Sequence, residues 1–211
     1  VAAGVIVSGV ATGGGSGGVL SGTVNKLSDN TATTAYDLAS IGTYDWWACF
    51  NSGSFASPDT KSGGPGDISA TAIAGVSSNS STGHYVQFLK FSSGTPTASN
   101  TSSPNGDDGA VIVGQAGPTV GTSTTRFTID IGTTQRTISI WFLSVPADTV
   151  AITASLSDGS ASNYTYSGTN NLWNTRLDLT AKAGSAAQTL TVDIENQTGT
   201  GYIYVQGAAI A

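Results

Sequence analysis

Phe127-Thr128-Ile129-Asp130-Ile131 places three apolar side chains on one face of an extended segment and two polar ones on the other. That period of two is the signature of a strand buried on one side and wet on the other, the usual state of an antiparallel sheet strand. Downstream, Thr134–Arg136 reads as a turn. It leads into a segment with Ile138, Ile140 and Phe142 on one face and Ser139, Trp141 and Leu143 on the other. Val150, Ile152, Ala154 and Leu156 mark the next strand, and Ser157-Asp158-Gly159-Ser160 supplies the turn that ends it. Tyr164–Tyr166, Leu177–Ala181, Leu190–Ile194 and Tyr202–Val205 complete this half of the chain.

Upstream the same pattern continues less sharply. Val19–Leu27, Tyr36–Leu38, Ile68–Val76 and Tyr85–Phe91 read as strands, with long polar connections at Asn51–Asp67 and Ser92–Gly109. No segment of helical length carries a 3.6-residue apolar period. The pattern predicts an all-β chain of roughly eleven to thirteen strands with almost no helix, folded as an antiparallel two-sheet β-sandwich of jelly-roll-like form.

The densest run of large side chains is Gly42-Thr43-Tyr44-Asp45-Trp46-Trp47-Ala48-Cys49-Phe50, with two of the four Trp and the single Cys. Period-two logic sets Tyr44, Trp46 and Ala48 on one face and Asp45, Trp47 and Cys49 on the other. Both faces carry an indole. Such a strand either has protein on both sides or offers one ring to a partner.

Composition excludes several functions. Lys and Arg total 7 in 211 residues, scattered singly, and the formal net charge is −6. Nucleic-acid binding requires clustered cations, and none occur. No apolar run reaches membrane-spanning length, so membrane insertion is not expected. Only 9% of residues are charged, against about 25% in ordinary domains. Hydroxyls and amides must supply solubility, as on exported surfaces and particle coats. There is no Met, as in a processed mature form. Cys49 has no intrachain partner and reads as an inert buried thiol.

Enzymatic chemistry finds little to work with. The chain has one His and one Cys, and Glu195 is its single Glu. Its Asp residues sit mostly in turns, where the carboxylate bonds nearby backbone amides. We therefore expect no enzyme, no catalytic residue and no cofactor. Asp107 and Asp108, in Asn105-Gly106-Asp107-Asp108-Gly109, would be the calcium ligands if a metal were held, but their spacing matches no EF-hand loop. Gly13, Gly15 and Gly18 match G-x-G-x-x-G, and Gly14–Gly18 match G-x-S-x-G. The next segment, Val19–Val24, is β-like where both motifs need a helix, so neither the dinucleotide nor the nucleophile-elbow reading holds.

Residues 1–18 form an apolar arm, Val1–Ala11, and a Gly-rich tether, ahead of a single sandwich domain over 19–211. The arm either folds back as an edge strand or completes the sheet of a neighbouring copy, with Val5, Ile6, Val7 and Val10 as plug residues. N-x-S/T sequons occur at Asn79, Asn100, Asn163 and Asn196.

Asp37-Leu38 with Gly42-Thr43-Tyr44-Asp45-Trp46, Arg136–Trp141, and Ala154-Ser155-Leu156-Ser157-Asp158-Gly159-Ser160 resembles bacterial β-sandwich modules appended to extracellular proteins. Those carry a Gly-Thr-x-Asp-Trp strand early and a Leu-Ser-Asp-Gly-Ser turn late. Ala48-Cys49-Phe50 departs from the His-Trp-Gly of that family. The resemblance implies a sandwich and an extracellular accessory role, and assigns no catalytic residue.

Two functions fit these readings. The first is a structural subunit of an extracellular assembly, a filament or a virion surface, built from copies of the chain or with other surface proteins. The second is a glycan-binding module, in which sugar rings stack on aromatics. Trp173 is its leading candidate, followed by Tyr164, Tyr166, Trp47 and Trp141.

Overall fold

A computed structural model describes residues 17–26, 35–49, 55, 58–74, 76–80, 88–95, 99–100, 110–114, 123–145, 149–169, 175–197 and 202–211. The arm residues Val5, Ile6, Val7 and Val10, the acidic pair Asp107 and Asp108, and Trp173 lie outside these.

Strands β1 (Val19–Lys26), β2 (Ala35–Asp37), β3 (Asp45–Ala48), β4 (Asp59–Lys61), β5 (Ile68–Ala74) and β6 (Val76–Ser80) occupy the first part. One helix, α1 (Leu38–Ile41), follows β2. The middle holds β7 (Phe88–Ser92), β8 (Gly94–Thr95), β9 (Ser99–Asn100), β10 (Ala110–Gly114) and β11 (Ser123–Ile131). The last part holds β12 (Arg136–Val145), β13 (Thr149–Leu156), β14 (Tyr164–Thr169), β15 (Thr175–Lys182), β16 (Gln188–Asn196) and β17 (Tyr202–Ile210).

Two antiparallel sheets form the sandwich. The five-stranded sheet runs β14-β13-β16-β11-β5. The nine-stranded sheet runs β1-β15-β12-β17-β3-β4-β8, with β10 joined to β17 and β6 to β10. Along its far edge β17 pairs first with β10 through Ile203–Val205 and then with β3 through Gly207–Ile210. The strand beginning at Tyr202 is bonded on both edges, and protein on both of its faces, the main core under Ile203, Val205, Ala208 and Ile210 and the second cluster over Ala209, buries it continuously from Ile203 to Ile210.

The interior follows the alternation in sequence. Phe127, Ile129 and Ile131 of β11, Ile138, Ile140 and Phe142 of β12, and Val150, Ile152, Ala154 and Leu156 of β13 share one core with Trp47 and Cys49. Trp46 and Ala48 point the other way, into a second cluster with Leu38, Leu89, Phe91, Trp141 and Ala209. A small sheet, β2-β7-β9, and α1 form this outer layer. The strand of Trp46 and Trp47 thus has protein on both sides.

Three features depart from the sequence reading. Seventeen strands occur among the described residues, more than the eleven to thirteen expected. The excess comes from short pieces within segments read as polar loops, β4, β8 and β9, whose two or three residues carry no usable period. The Ala110–Gly114 strand, β10, is not among the expected strands, although its Val-Ile-Val run stands close to glycines on both sides. In addition β2 and β7 pair in parallel, which local pattern does not encode.

Tight approach fixes some small residues. Gly207 lies opposite Trp141 in β12 and Ala48 in β3, and a Cβ there would stand 2.8 Å from Leu89 and 2.9 Å from the Trp47 carbonyl. Asp158 ties two turns together. Its carboxylate accepts the backbone N–H of Ser160 at 3.0 Å, Gly184 at 2.9 Å and Ser185 at 3.2 Å. The Ser160 hydroxyl first, and then these backbone donors, hold its pKa below the usual carboxylate value.

Tyr164 is 3% exposed, and its buried hydroxyl has no hydrogen-bond partner among the described residues. Burial pushes its pKa up to about 12. A phenol whose folded-state pKa is raised favours the folded chain while it is protonated, so this contribution is lost as pH climbs from the unfolded value of about 10 through about 12. Tyr164→Phe is expected to raise stability by about 1 kcal/mol at neutral pH, since it removes an unsatisfied polar atom without changing shape. It should also extend the alkaline limit of folding. Denaturant titrations of both chains at pH 7, 10 and 11.5 check this; equal alkaline losses would rule out the assignment.

Candidate functional site

Several turns converge at one end of the sandwich. Here the approach to β3, the β4–β5 turn, the β11–β12 turn, the β15–β16 turn and the end of β17 meet. Asp45 organises the junction from within. Although it is 1% exposed, its carboxylate accepts the N–H of Trp46 at 2.9 Å and of Asp67 at 2.8 Å. Burial raises its pKa, and the bonds from the Asp67, Trp46 and Gly66 backbone oppose that rise. Gly66, at φ 75°, gives the β4–β5 turn the left-handed residue that lets its amide face inward. Lys61 braces the other side of the same loop. Its ammonium donates to the carbonyls of Gly42 and Tyr44, each at 3.3 Å, and to that of Thr43.

On this frame sits an open cleft of about 340 Å³. Tyr44, Asp67, Asp130, Thr134, Arg136 and Gln188 line it, with Ile131 and Ile210 as the apolar floor. Tyr44 is fixed by its N–H, which donates to the Ile210 carbonyl at 3.0 Å. The Arg136 guanidinium lies 3.7 Å from the centroid of the Tyr44 ring, a cation–π stack. The Tyr44 hydroxyl bonds Asp67, and that carboxylate keeps the phenol protonated above its usual range. Asp130 is tied to the same loop, its N–H donating to the Asp67 carbonyl at 2.9 Å.

The rim also carries strain. Ala187, which lines the cleft, has φ 55°, a left-handed conformation that costs an L-residue energy and is concentrated at functional sites. With two carboxylates against one guanidinium, the lining is net acidic. It presents acceptors at Asp67 and Asp130, donors at Arg136 and Tyr44, and groups of both kinds at Thr134 and Gln188.

No protein-family model and no curated protein matches the chain. Among solved structures it is similar to TmCBM61, determined in complex with β-1,4-galactotriose, at 10% identity and TM-score 0.41 over 69% of this chain and 88% of that one. It is similar to Xyl-CBM35, in complex with a disaccharide containing glucuronic acid, at 15% identity and TM-score 0.38 over 70% and 89%. The K2 cleaved adhesin domain of Lys-gingipain is similar at 11% identity and TM-score 0.37 over 81% and 99%. None of them transfers a residue role to this chain.

The aromatic candidates of the sequence reading do not gather at the cleft. Trp47 is 1% exposed and Trp141 0%, so neither ring has a face for a ligand; they pack the two cores instead. Tyr164 is buried against the main core, and Tyr166 is half-buried beside it. Trp47, Trp141 and Tyr164 are therefore not ligand platforms: among the described residues these rings serve packing. Trp173 lies outside the described residues. The cleft as a whole carries no local signal, because Tyr44, Asp67 and Gln188 lie far in sequence from the turn that holds Asp130 and Arg136. Each alone resembles a turn or strand residue.

Of the sequons, Asn163 is exposed, whereas Asn196 is 3% exposed and closed to a glycan. Two of the three arginines are already engaged, Arg126 with Asp193 at 2.7 Å and Arg176 with Asp178 at 2.8 Å. Among the described residues no group of three or more His, Cys, Asp or Glu is placed to hold a metal, and no helix is long and apolar enough to cross a membrane.

Proposed function

We propose that the chain is a non-catalytic carbohydrate-binding module whose sugar site is the end cleft. One observation carries this reading: hydrogen-bonding groups of both polarities converge beside the Tyr44 ring in an open cavity of about 340 Å³. Ligand pockets of this size begin at about 300 Å³. A sugar offers hydroxyls that donate and accept, and C–H faces that need apolar contact. Asp67 and Asp130 accept from hydroxyls, Arg136 and Gln188 donate to them, and the half-buried Tyr44 ring and the exposed Ala187 meet the C–H face. The module works outside the cytosol, the setting that suits a surface with 9% charged residues.

Asp130 provides the clean test, because its side chain is exposed and makes no hydrogen bond or ion pair among the described residues. The full chain should bind a subset of neutral oligosaccharides on a glycan array. Asp130→Ala should weaken that binding roughly tenfold to a hundredfold, the effect of one charged hydrogen bond of about 1.5–3 kcal/mol. The bound sugar should be recovered uncleaved. If no saccharide retains the chain, or if Asp130→Ala binds equally well, the cleft is not the site. Released reducing ends would show an enzyme instead.

A further inference from the structure

Gln188 brings both a donor and an acceptor to the cleft, but the fold has already engaged its acceptor. Its Nε2 donates to the Ala186 carbonyl at 3.0 Å, with the left-handed Ala187 between them. Its Oε1 accepts from the Ser157 hydroxyl at 2.8 Å, and that hydroxyl in turn accepts the Thr189 N–H at 2.9 Å. A carbonyl accepts and never donates, so only one orientation of the amide serves Ala186. An amide nitrogen has two hydrogens, and the second stays available to the cleft. Gln188 therefore acts there as a donor.

The other charged and polar groups are sorted in the same way. Arg136 can only donate. Asp67 and Asp130 accept, and the Tyr44 hydroxyl gives its proton to Asp67. A free hydroxyl rotates to suit either kind and gains nothing from this sorting. A secondary amide matches it, with a carbonyl that accepts on one edge and an N–H that donates on the other. We propose that the sugar held in the cleft bears an acetamido group, its carbonyl on Gln188 and Arg136, its N–H on Asp130 and its methyl on the exposed Ala187. This rests on the end cleft being the sugar site and names the class of sugar it takes. Related groups fit worse. An ammonium brings no acceptor to Gln188 and Arg136, whereas a carboxylate brings no donor to Asp130 and is repelled by it. Ser157 is a positioning residue, since without its hydroxyl the Gln188 amide can turn away.

Protein-observed NMR titrations of the full chain test this with the methyl glycosides of N-acetylglucosamine and N-acetylgalactosamine, each against its glucose or galactose counterpart. In at least one series the acetamido sugar should bind roughly tenfold more tightly, the effect of one or two net hydrogen bonds. Ser157→Ala should bring that ratio close to one, and Ser157→Thr, which keeps the hydroxyl, should hold it. A purely structural role for Ser157 would lower stability without moving the ratio, so a ratio that survives Ser157→Ala overturns the clamp. Hydroxyl sugars that bind as tightly as their acetamido counterparts overturn the assignment, yet leave the cleft as the sugar site if Asp130→Ala weakens them. If none of the four glycosides binds while another saccharide does so through Asp130, the acetamido class is wrong and the cleft is right. If no saccharide binds at all, both fall.

Discussion

Trp47→Ala should cost about 3–5 kcal/mol, enough to leave a chain of this size marginal or unfolded at room temperature. The indole is 1% exposed and fills the space between the two sheets. It meets the Phe127 ring edge to face, at 5.7 Å between centroids and 83° between planes, and stacks on Phe55 at 6.1 Å. Strand β3 cannot collapse inward to fill the gap, because Trp46 on its opposite face is packed at 4.7 Å on Phe91 in the outer layer. A cavity would therefore remain, and cavities that cannot relax lie at the costly end of the range. Urea unfolding followed by far-ultraviolet circular dichroism measures the loss. A deficit below about 1 kcal/mol would mean that the two sheets do not share this ring as their common filler.

This same strand shows what alternation reveals and what it conceals. Phe127-Thr128-Ile129-Asp130-Ile131 and Val150–Leu156 announce their faces, because one side of each is core and the other is wet or hydroxylated. The two-sheet antiparallel sandwich is implied by them and is the architecture found. Around Trp46 and Trp47 the rule loses contrast: β3 is buried at all four positions. A strand with protein on both faces looks like a strand with one face offered to a ligand, since both are aromatic on each side. Only the outer layer of α1, β2, β7 and β9 decides between them, and its strands of two to five residues leave almost no period to read. The cleft was hidden for a related reason. Tyr44, Asp67, Asp130 and Arg136 become neighbours through β17 and the turns at one end of the sandwich, a property of strand order and not of any local stretch.

Asp45→Ala should be the most damaging change outside the apolar core, at about 2–4 kcal/mol. A buried carboxylate that accepts backbone N–H groups leaves those donors unsatisfied when it is removed, and each such donor costs about 1–3 kcal/mol. Here the donors belong to Trp46, Gly66 and Asp67. Two of them form the turn that carries Asp67 into the cleft, so stability and ligand binding should fall together. Asp45→Asn separates shape from charge. Burial raises the Asp45 pKa in the folded chain, so the protonated form favours folding. Its stabilising contribution is complete below the unfolded value of about 3.9 and declines as pH rises through the higher folded value. The asparagine chain lacks that decline. Denaturant midpoints of both chains between pH 3.5 and 7 should therefore converge or cross as pH increases, with the parent losing ground to Asp45→Asn. If the parent gains on the variant across this window, the backbone bonds outweigh burial, and Asp45 is an ionised anchor with a lowered pKa.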